Sequence, residues 1–339
     1  MRSFQCECGA RVFFENFRCL ACARELGFAL DVAAIVTLAE PVDGIYTTPA
    51  GTFRKCRNYA DEGVCNWIKA ADQPGDLCEA CRLNNVIPDL SVPENRELWA
   101  NVELAKRRLV YTLAQLHLPL LSKEDDPERG LAFDIKSDTG KTRVLTGHAE
   151  GLITLNLAEA DVPTREKARI AMNERYRTLL GHFRHESGHY FWERLIRDRE
   201  QFGEFRALFG DETRDYAESL KAHYASDSTS TPNDAFISAY ASSHPWEDWA
   251  ETFAHYLHMI DTLDTAQDFG FTGRLSPRAS LPGVKNFDLL MEEWTELTVA
   301  LNALNRSMGV PDAYPFAISP TVKQKLAFVH ELVREQRGA

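Results

Sequence analysis

Two histidines and a glutamate in the stretch 185–189 have the types and the spacing of a zinc site that carries its own base. The stretch reads His185-Glu186-Ser-Gly-His189. If it is helical, His185 and His189 lie one turn apart on the same face, so both imidazoles can bind one metal ion. Glu186 lies about 100° further round and can reach a water molecule on that ion. The pattern predicts a catalytic zinc centre; the alternative is a buried pair of core histidines.

A catalytic zinc ion keeps one coordination position open, so the two histidines need one more protein ligand. A later stretch supplies candidates, because Pro245 can begin a helix and one face of that helix carries four ionisable side chains: Glu247, Glu251, His255 and His258. Glu247 is the preferred ligand, with Glu251 as a hydrogen-bond acceptor that orients a ligand histidine. The alternatives are Glu251, His255 or His258 as the ligand, or a charged helix face without metal.

All eight cysteines lie in the first 81 residues, in two groups of four. Each group contains a closely spaced pair of the kind that clamps a tetrahedral zinc ion, so we expect two structural sites with four sulfur ligands each. A disulfide framework fits less well, because no signal sequence precedes the cysteines. The groups are Cys6, Cys8, Cys19 and Cys22, and Cys56, Cys65, Cys78 and Cys81.

The composition is that of a globular protein, with 44% hydrophobic residues and a formal net charge of −12 over 339 residues. No apolar run approaches the roughly 18 residues of a membrane helix, and the first residues lack the apolar core of a signal peptide. We therefore expect a cytoplasmic protein. The acidic charge disfavours broad binding to nucleic acid or anionic membranes. The basic run Lys106-Arg107-Arg108 is expected to form a solvated helix face.

These signals predict an α+β protein in two parts. Residues 1–94 are expected to form a small, β-rich zinc-ribbon region with the two four-cysteine sites. Residues 95–339 are expected to form a mainly helical domain that contains the histidine motif. Within it, the apolar alternation at 152–157 predicts a strand. That strand could be the edge of a sheet, where a peptide adds through backbone hydrogen bonds.

The histidine motif followed by Glu247-Asp-Trp-Ala-Glu251 resembles the gluzincin class of zinc peptidases, in which a glutamate on a later helix joins HExxH. The chain is also similar to a bacterial family of zinc-ribbon proteins with a zinc-binding metallopeptidase domain. That similarity lies in the two cysteine groups and in residues 81–90, 179–190 and 244–251. In some gluzincins a tyrosine seven residues before the glutamate ligand stabilises the oxyanion. Tyr240 stands at that offset; aromatic packing beside the cleft is its alternative role.

The resemblance implies that residues 95–339 are a zincin-like metallopeptidase domain and that the protein hydrolyses peptide bonds. Zinc on His185, His189 and Glu247 would activate a water molecule, and Glu186 would accept its proton. The expected cofactors are one catalytic and two structural zinc ions, and the expected partner is a peptide or protein substrate. The alternative is a scaffold that recruits a protein partner through its ribbons and has a weakly active or inactive zincin domain. Glu186 favours the enzyme, because zinc binding alone does not need a base.

Overall fold

The computed structural model describes residues 2–140, 142–172, 174, 176–197, 199–225, 234–271 and 281–337. The described chain forms two compact units. Unit 1 takes the described residues of Met1–Leu113, Leu120–Gly147 and Gly151–Ile170. Unit 2 takes those of Ala114–Pro119, His148–Glu150 and Ala171–Ala339.

Short strands dominate the first half of the described chain. They are β1 (Ser3–Gln5), β2 (Arg11–Phe13), β3 (Glu25–Ala29), β4 (Ala34–Leu38), β5 (Tyr46–Thr48), β6 (Gly51–Lys55), β7 (Trp67–Ala70), β8 (Asn84–Val86), β9 (Ala132–Lys136), β10 (Gly147–Ala149) and β11 (Leu152–Asn156). Strands β1 and β2 pair antiparallel. The two larger sheets have the strand orders β4-β3-β7-β6-β5 and β10-β11-β9-β8.

Helices dominate the second half. Along the whole described chain the α-helices are α1 (Arg57–Ala60), α2 (Pro93–Gln115), α3 (Val162–Ala171), α4 (Leu179–Leu195), α5 (Phe202–Phe209), α6 (Tyr216–Ala225), α7 (Pro245–Asp268), α8 (Phe287–Ser307) and α9 (Pro320–Glu335). The predicted α+β class, with a β-rich region followed by a mainly helical one, is therefore confirmed. None of the described helices combines the length and the apolar composition that a bilayer crossing requires.

The strand predicted at 152–157 forms, but the prediction that it is an edge strand is wrong. Strand β11 pairs in parallel with β9, with Leu152 opposite Ala132 and Asn156 opposite Lys136. Its other neighbour in the sheet is β10. Because β10 has only three residues, it is too short to give a recognisable alternation in the sequence.

Helix α2 packs inside unit 1, together with the cysteine-containing strands. Its Tyr111 ring lies 5.3 Å from Phe14 and 5.7 Å from Phe28, and Phe28 lies 5.0 Å from Trp67. Such aromatic pairs bury large apolar surfaces and prefer tilted or edge-on arrangements of this kind. The helix that follows the predicted boundary at 94/95 therefore shares a hydrophobic core with residues before it.

The expectation of a solvated basic face on α2 is wrong for two of its three residues. Lys106 is fully buried, and its Nζ lies 2.8 Å from Glu103 Oε1, one turn away. Arg107 is also buried and donates to the backbone carbonyl of Val64. Buried charges need such partners. Sequence periodicity did not reveal them, because Val64 comes from a distant loop. Arg108 remains partly exposed.

Helices α4 and α7 form the centre of unit 2, and each begins at a defined cap. The Thr178 hydroxyl accepts the backbone N–H of Gly181 at the start of α4. At the start of α7, His244 Nδ1 accepts the backbone N–H of Trp246, and Pro245 occupies the first turn. Both arrangements satisfy backbone donors that a helix leaves unpaired.

The two helices approach most closely at Gly188, inside the histidine motif. A Cβ atom on Gly188 would lie 2.9 Å from the Cα of Ala250, which is closer than such atoms pack. The indole Nε1 of Trp249 donates to the Gly188 carbonyl over 2.8 Å. Glycine therefore lets the backbones meet, and the contact sets the histidines of α4 opposite the acidic residues of α7.

Candidate metal centres

Three side-chain atoms from α4 and α7 converge in unit 2. Glu247 Oε2 lies 3.0 Å from His185 Nε2 and 3.5 Å from His189 Nε2. The ligand atoms of all three residues lie within 4.8 Å of one another. Bond lengths at tetrahedral zinc imply nitrogen-to-oxygen separations of about 3.4 Å between ligand atoms. The spacing therefore fits one zinc ion.

The electrostatics of these residues also fit a cation. Glu247 is 1% exposed, and among the described residues its Oε2 has no hydrogen-bond donor of acceptable geometry. Burial acts to raise the pKa of Glu247, but the His189 and His185 imidazoles outweigh it and lower the pKa. A buried anionic oxygen without a donor is costly unless a cation satisfies it. A zinc ion would supply that cation, and a set of two imidazoles and a carboxylate suits zinc.

Glu251 contacts the other nitrogen of His185. Its Oε1 lies 2.7 Å from His185 Nδ1, and its Oε2 accepts the Ser238 hydroxyl over 2.6 Å. Burial acts to raise the pKa of Glu251, but His185 outweighs it and lowers the pKa. An ionised carboxylate makes Nδ1 the donor, which leaves the Nε2 lone pair for a metal. Glu251 thus lies where an orienting acceptor is expected, and the carboxylate oxygen that lies beside both Nε2 atoms belongs to Glu247.

The two other candidate ligands on α7 lie outside this group. His255 Nδ1 lies 3.1 Å from the Glu251 carbonyl oxygen, and its ring packs 4.5 Å from Phe316. The His258 ring lies 5.4 Å from Tyr176 and 5.8 Å from Trp294. On the predicted polar face of α7, Glu247 and Glu251 contact the motif histidines, whereas His255 and His258 pack among aromatic rings. Sequence periodicity could not distinguish these two environments.

Glu186, the predicted base, is a buried carboxyl beside the converging atoms. It is 8% exposed. Burial raises its pKa, and the neighbouring His185 and His189 only partly offset this rise. A carboxyl whose pKa is raised toward neutrality can accept a proton and later release it.

Two tyrosines lie close to the converging residues, one beside Glu247 and one beside His185. The Tyr216 hydroxyl donates to Glu247 Oε1 over 2.6 Å. The Tyr240 ring lies 5.9 Å from the His185 ring. Burial raises the pKa of Tyr240, and Glu247 and the neighbouring Tyr216 raise it further. The sequence analysis named Tyr240 but missed Tyr216 and Ser238. Neither missed residue stands at a fixed spacing from the motif, so no local pattern marks them.

Both cysteine groups in unit 1 have the geometry of four-sulfur sites. Sulfur pairs in the first group are 3.7 Å apart (Cys6 and Cys22) and 3.6 Å apart (Cys8 and Cys19). In the second group, Cys65 and Cys78 are separated by 3.8 Å. Tetrahedral zinc thiolate sites place sulfurs about 3.8 Å apart. All eight cysteines are free thiols, so the disulfide alternative does not hold.

The two groups differ in their access to solvent. Every cysteine of the second group is fully buried, whereas Cys8 of the first group is exposed and Cys22 is partly exposed. In the first group, the Arg24 guanidinium lies within 3.5 Å of the Cys22 sulfur and pairs with Glu7. A nearby cation stabilises the thiolate form that binds zinc.

Comparison with known proteins assigns the family. Residues 95–332 match the family model described as "Putative zinc-binding metallo-peptidase". The chain belongs to this family. Residues 3–92 match the model of a zinc-ribbon domain, so the metallopeptidase region follows an N-terminal zinc ribbon, as the resemblance implied.

Relatives of this zinc-binding metallopeptidase family member cover nearly the whole chain. Uncharacterized proteins of Mycobacterium tuberculosis and Mycobacterium bovis are each 42% identical over 339 residues, which is 99% of this chain and 96% of theirs. No solved structure matches the chain significantly. Family membership supports zinc as the metal that these side chains bind.

Proposed function

We propose that the protein hydrolyses peptide bonds with a zinc ion held by His185, His189 and Glu247. The observation that carries the proposal is the convergence of two imidazole nitrogens and one carboxylate oxygen within 4.8 Å. When bound there, zinc would lower the pKa of a coordinated water and polarise the scissile carbonyl. Three protein ligands leave a position open for this chemistry, and membership of the metallopeptidase family supports the same reaction class.

Glu186 moves the proton in this proposal. Its carboxylate accepts a proton from the attacking water and delivers it to the nitrogen of the leaving amine. The burial that raises its pKa suits both steps, because the group holds the proton between them. Its place next to His185 in the helix fixes it beside the metal ligands.

Tyr240 is the proposed donor to the oxyanion that develops on the substrate. A donor that is already in place can lower the barrier by a few kcal/mol in a site that excludes water. Burial keeps the pKa of Tyr240 raised, so its hydroxyl retains the proton that it must donate. Its contact with the His185 ring supports a position near the reacting atoms.

The two cysteine groups are proposed to hold one structural zinc ion each, giving three zinc ions per chain. Sulfur separations of 3.6–3.8 Å support this count. Four sulfur ligands leave no open position, so these ions would stabilise the fold and not take part in the reaction. Recruitment of a protein partner through the ribbons stays a prediction.

The test is the substitution Glu186→Gln in the zinc-loaded protein. Glutamine keeps the size of the side chain but cannot accept the proton, so we expect peptide turnover to fall about 100- to 10,000-fold while three zinc ions stay bound. Metal content is measured by elemental analysis, and cleavage by mass spectrometry on a peptide library. The control is Glu193→Gln, which alters a glutamate on the same helix, α4.

Two outcomes contradict parts of this proposal. Unchanged turnover in zinc-loaded Glu186→Gln would remove Glu186 from the reaction. A wild-type protein that binds three zinc ions but cleaves no peptide would favour the scaffold alternative.

A further inference from the structure

We propose that Tyr216 is a positioning residue that determines which oxygen of Glu247 binds the metal. The inference rests on the proposed metal centre and adds a residue that the histidine motif and the glutamate helix do not contain. It concerns how tightly the centre binds the metal ion and which oxygen of Glu247 contacts that ion.

The two oxygens of Glu247 have separate partners. Oε1 accepts the Tyr216 hydroxyl over 2.6 Å, whereas Oε2 is the atom that faces both histidine Nε2 atoms. A carboxylate free to rotate could present both oxygens to a metal ion and occupy two coordination positions. With Oε1 held by Tyr216, only Oε2 is free to bind. The position that hydrolysis needs then stays open.

The hydrogen bond is strong for its kind because its acceptor is buried. Glu247 is 1% exposed. Hydrogen bonds to an ionised acceptor are shorter and about twice as strong as neutral ones, and a low local dielectric strengthens them further. The short distance of 2.6 Å agrees with such a bond.

A single histidine ties the start of α6 to the start of α7. His244 accepts the backbone N–H of Trp246 through Nδ1 and contacts the Arg214 carbonyl oxygen through Nε2 at 3.1 Å. The Arg214 carbonyl lies two residues before Tyr216. The Tyr216 ring itself packs 5.3 Å from His244 and 6.0 Å from Trp246.

This link matters because α6 has little packing of its own. No side chain of α6 is buried. Hydrophobic burial therefore does not fix Tyr216, and the contacts with the N-terminal turn of α7 do. The same turn carries Glu247, so the hydroxyl and the carboxylate are held by one local structure.

The test compares Tyr216→Phe with Tyr224→Phe in the full chain. Both residues lie on α6, but Tyr224 is 68% exposed and Tyr216 donates to Glu247. The site formed by His185, His189 and Glu247 is called the third site, beside the two cysteine sites. Its zinc affinity is measured by competition with a chelator, while the zinc in both cysteine sites is monitored by elemental analysis. Loss of a partner that orients a ligand typically weakens metal binding 10- to 100-fold. We expect that loss for Tyr216→Phe and none for Tyr224→Phe.

Thermal unfolding with the third site emptied separates positioning from a structural role. Tyr216 is 38% exposed, so Tyr216→Phe should lose little beyond the hydrogen bond to Glu247, and the emptied variant should remain fully folded at the temperature of the zinc assay. Third-site affinity within twofold of wild type in Tyr216→Phe overturns the inference. An emptied variant that is partly unfolded at the assay temperature, to an extent that accounts for the affinity loss, overturns it as well. A wild-type chain that binds only two zinc ions would instead refute the proposed metal centre itself.

Discussion

At the scale of single residues, both ring nitrogens of His185 have a partner. Its Nε2 faces Glu247 and its Nδ1 contacts Glu251, which is in turn bound by Ser238. Each ring nitrogen therefore has one defined role. His189 has no such support: among the described residues its buried Nδ1 has no hydrogen-bond partner, and its ring packs 4.1 Å from Trp246. Of the two proposed ligands, His185 is oriented by hydrogen bonds and His189 by aromatic packing.

Replacing Glu251 with glutamine is expected to weaken zinc binding at the third site about 10- to 100-fold. The neutral amide is a poorer acceptor than the carboxylate, so His185 would be held less firmly and its Nε2 would be a weaker ligand. Chelator competition measures the change. Asp268→Asn is the control, because Asp268 is an exposed acidic residue on the same helix. Equal affinity in Glu251→Gln and wild type would show that Glu251 does not orient His185.

Helical periodicity in the sequence predicted only those residues of the centre that repeat along one helix. His185 and His189 repeat at one helical turn, and Glu247 and Glu251 repeat in the same way, so each pair could be placed on a face. Tyr216 comes from α6, a separate helix with no spacing relation to either pair. Its role depends on how chain segments meet in space, which local pattern does not encode.

At the scale of elements, the site depends on how closely α4 and α7 cross. Gly188 and Ala250 bring the two backbones together, and Trp249 donates across the contact. The proposed metal ligands lie within one turn of this point on either helix. Their separation is therefore sensitive to any side chain that pushes the helices apart.

Gly188→Ala is expected to destabilise the protein by about 1–3 kcal/mol, since the new Cβ would lie 2.9 Å from a backbone atom of α7. The same displacement should lower the third-site zinc affinity. Denaturant unfolding and chelator competition measure the two effects. The control is Gly203→Ala in α5, where a Cβ meets open space and alanine should stabilise by about 0.5–1 kcal/mol. A Gly188→Ala protein that matches wild type in both assays would contradict this role.

The elements themselves were predictable where caps or alternation mark them. Ser319 followed by Pro320 is a cap-and-proline pattern that predicts the start of a helix, and α9 begins there with the Ser319 cap. The run Ala-Ile-Val-Thr-Leu at 34–38 is typical of a strand, and it forms β4. Helix α2 begins at Pro93, since proline is well tolerated in a first helical turn. The three-residue β10 gave no signal.

At the scale of the whole molecule, the cysteine region and α2 form one folding unit. Trp99, Leu109 and Tyr111 of α2 are almost fully buried, and Tyr111 packs against Phe14 and Phe28. Glu103 of α2 also lies 3.8 Å from the sulfur of Cys81. The ribbon and this helix therefore depend on each other for burial.

Deleting residues 1–94 is expected to yield a protein that aggregates. The deletion removes the partners of α2, and each large aromatic or aliphatic side chain loses about 1.5–3 kcal/mol of burial free energy. Size-exclusion chromatography and binding of a hydrophobic dye measure the effect, with the full chain prepared in parallel as the control. A monomeric truncated protein with a cooperative unfolding transition would show that residues 95–339 fold without the ribbon.

Because each oxygen of Glu247 has its own partner, the carboxylate is oriented before the metal ion binds, which lowers the entropic cost of binding. Where every donor group is already in place, metal uptake needs little ordering of the chain, and the entropic cost of assembling the ligands is small. The zinc affinity of this site would then depend mainly on the free energy of removing water from the ion and on the charge of the ligands. The cysteine ribbons are the opposite case, since small β regions of this kind gain much of their fold from the ion. The same chain would thus bind zinc in two ways. One site is formed before the ion binds, and the cysteine sites fold around it.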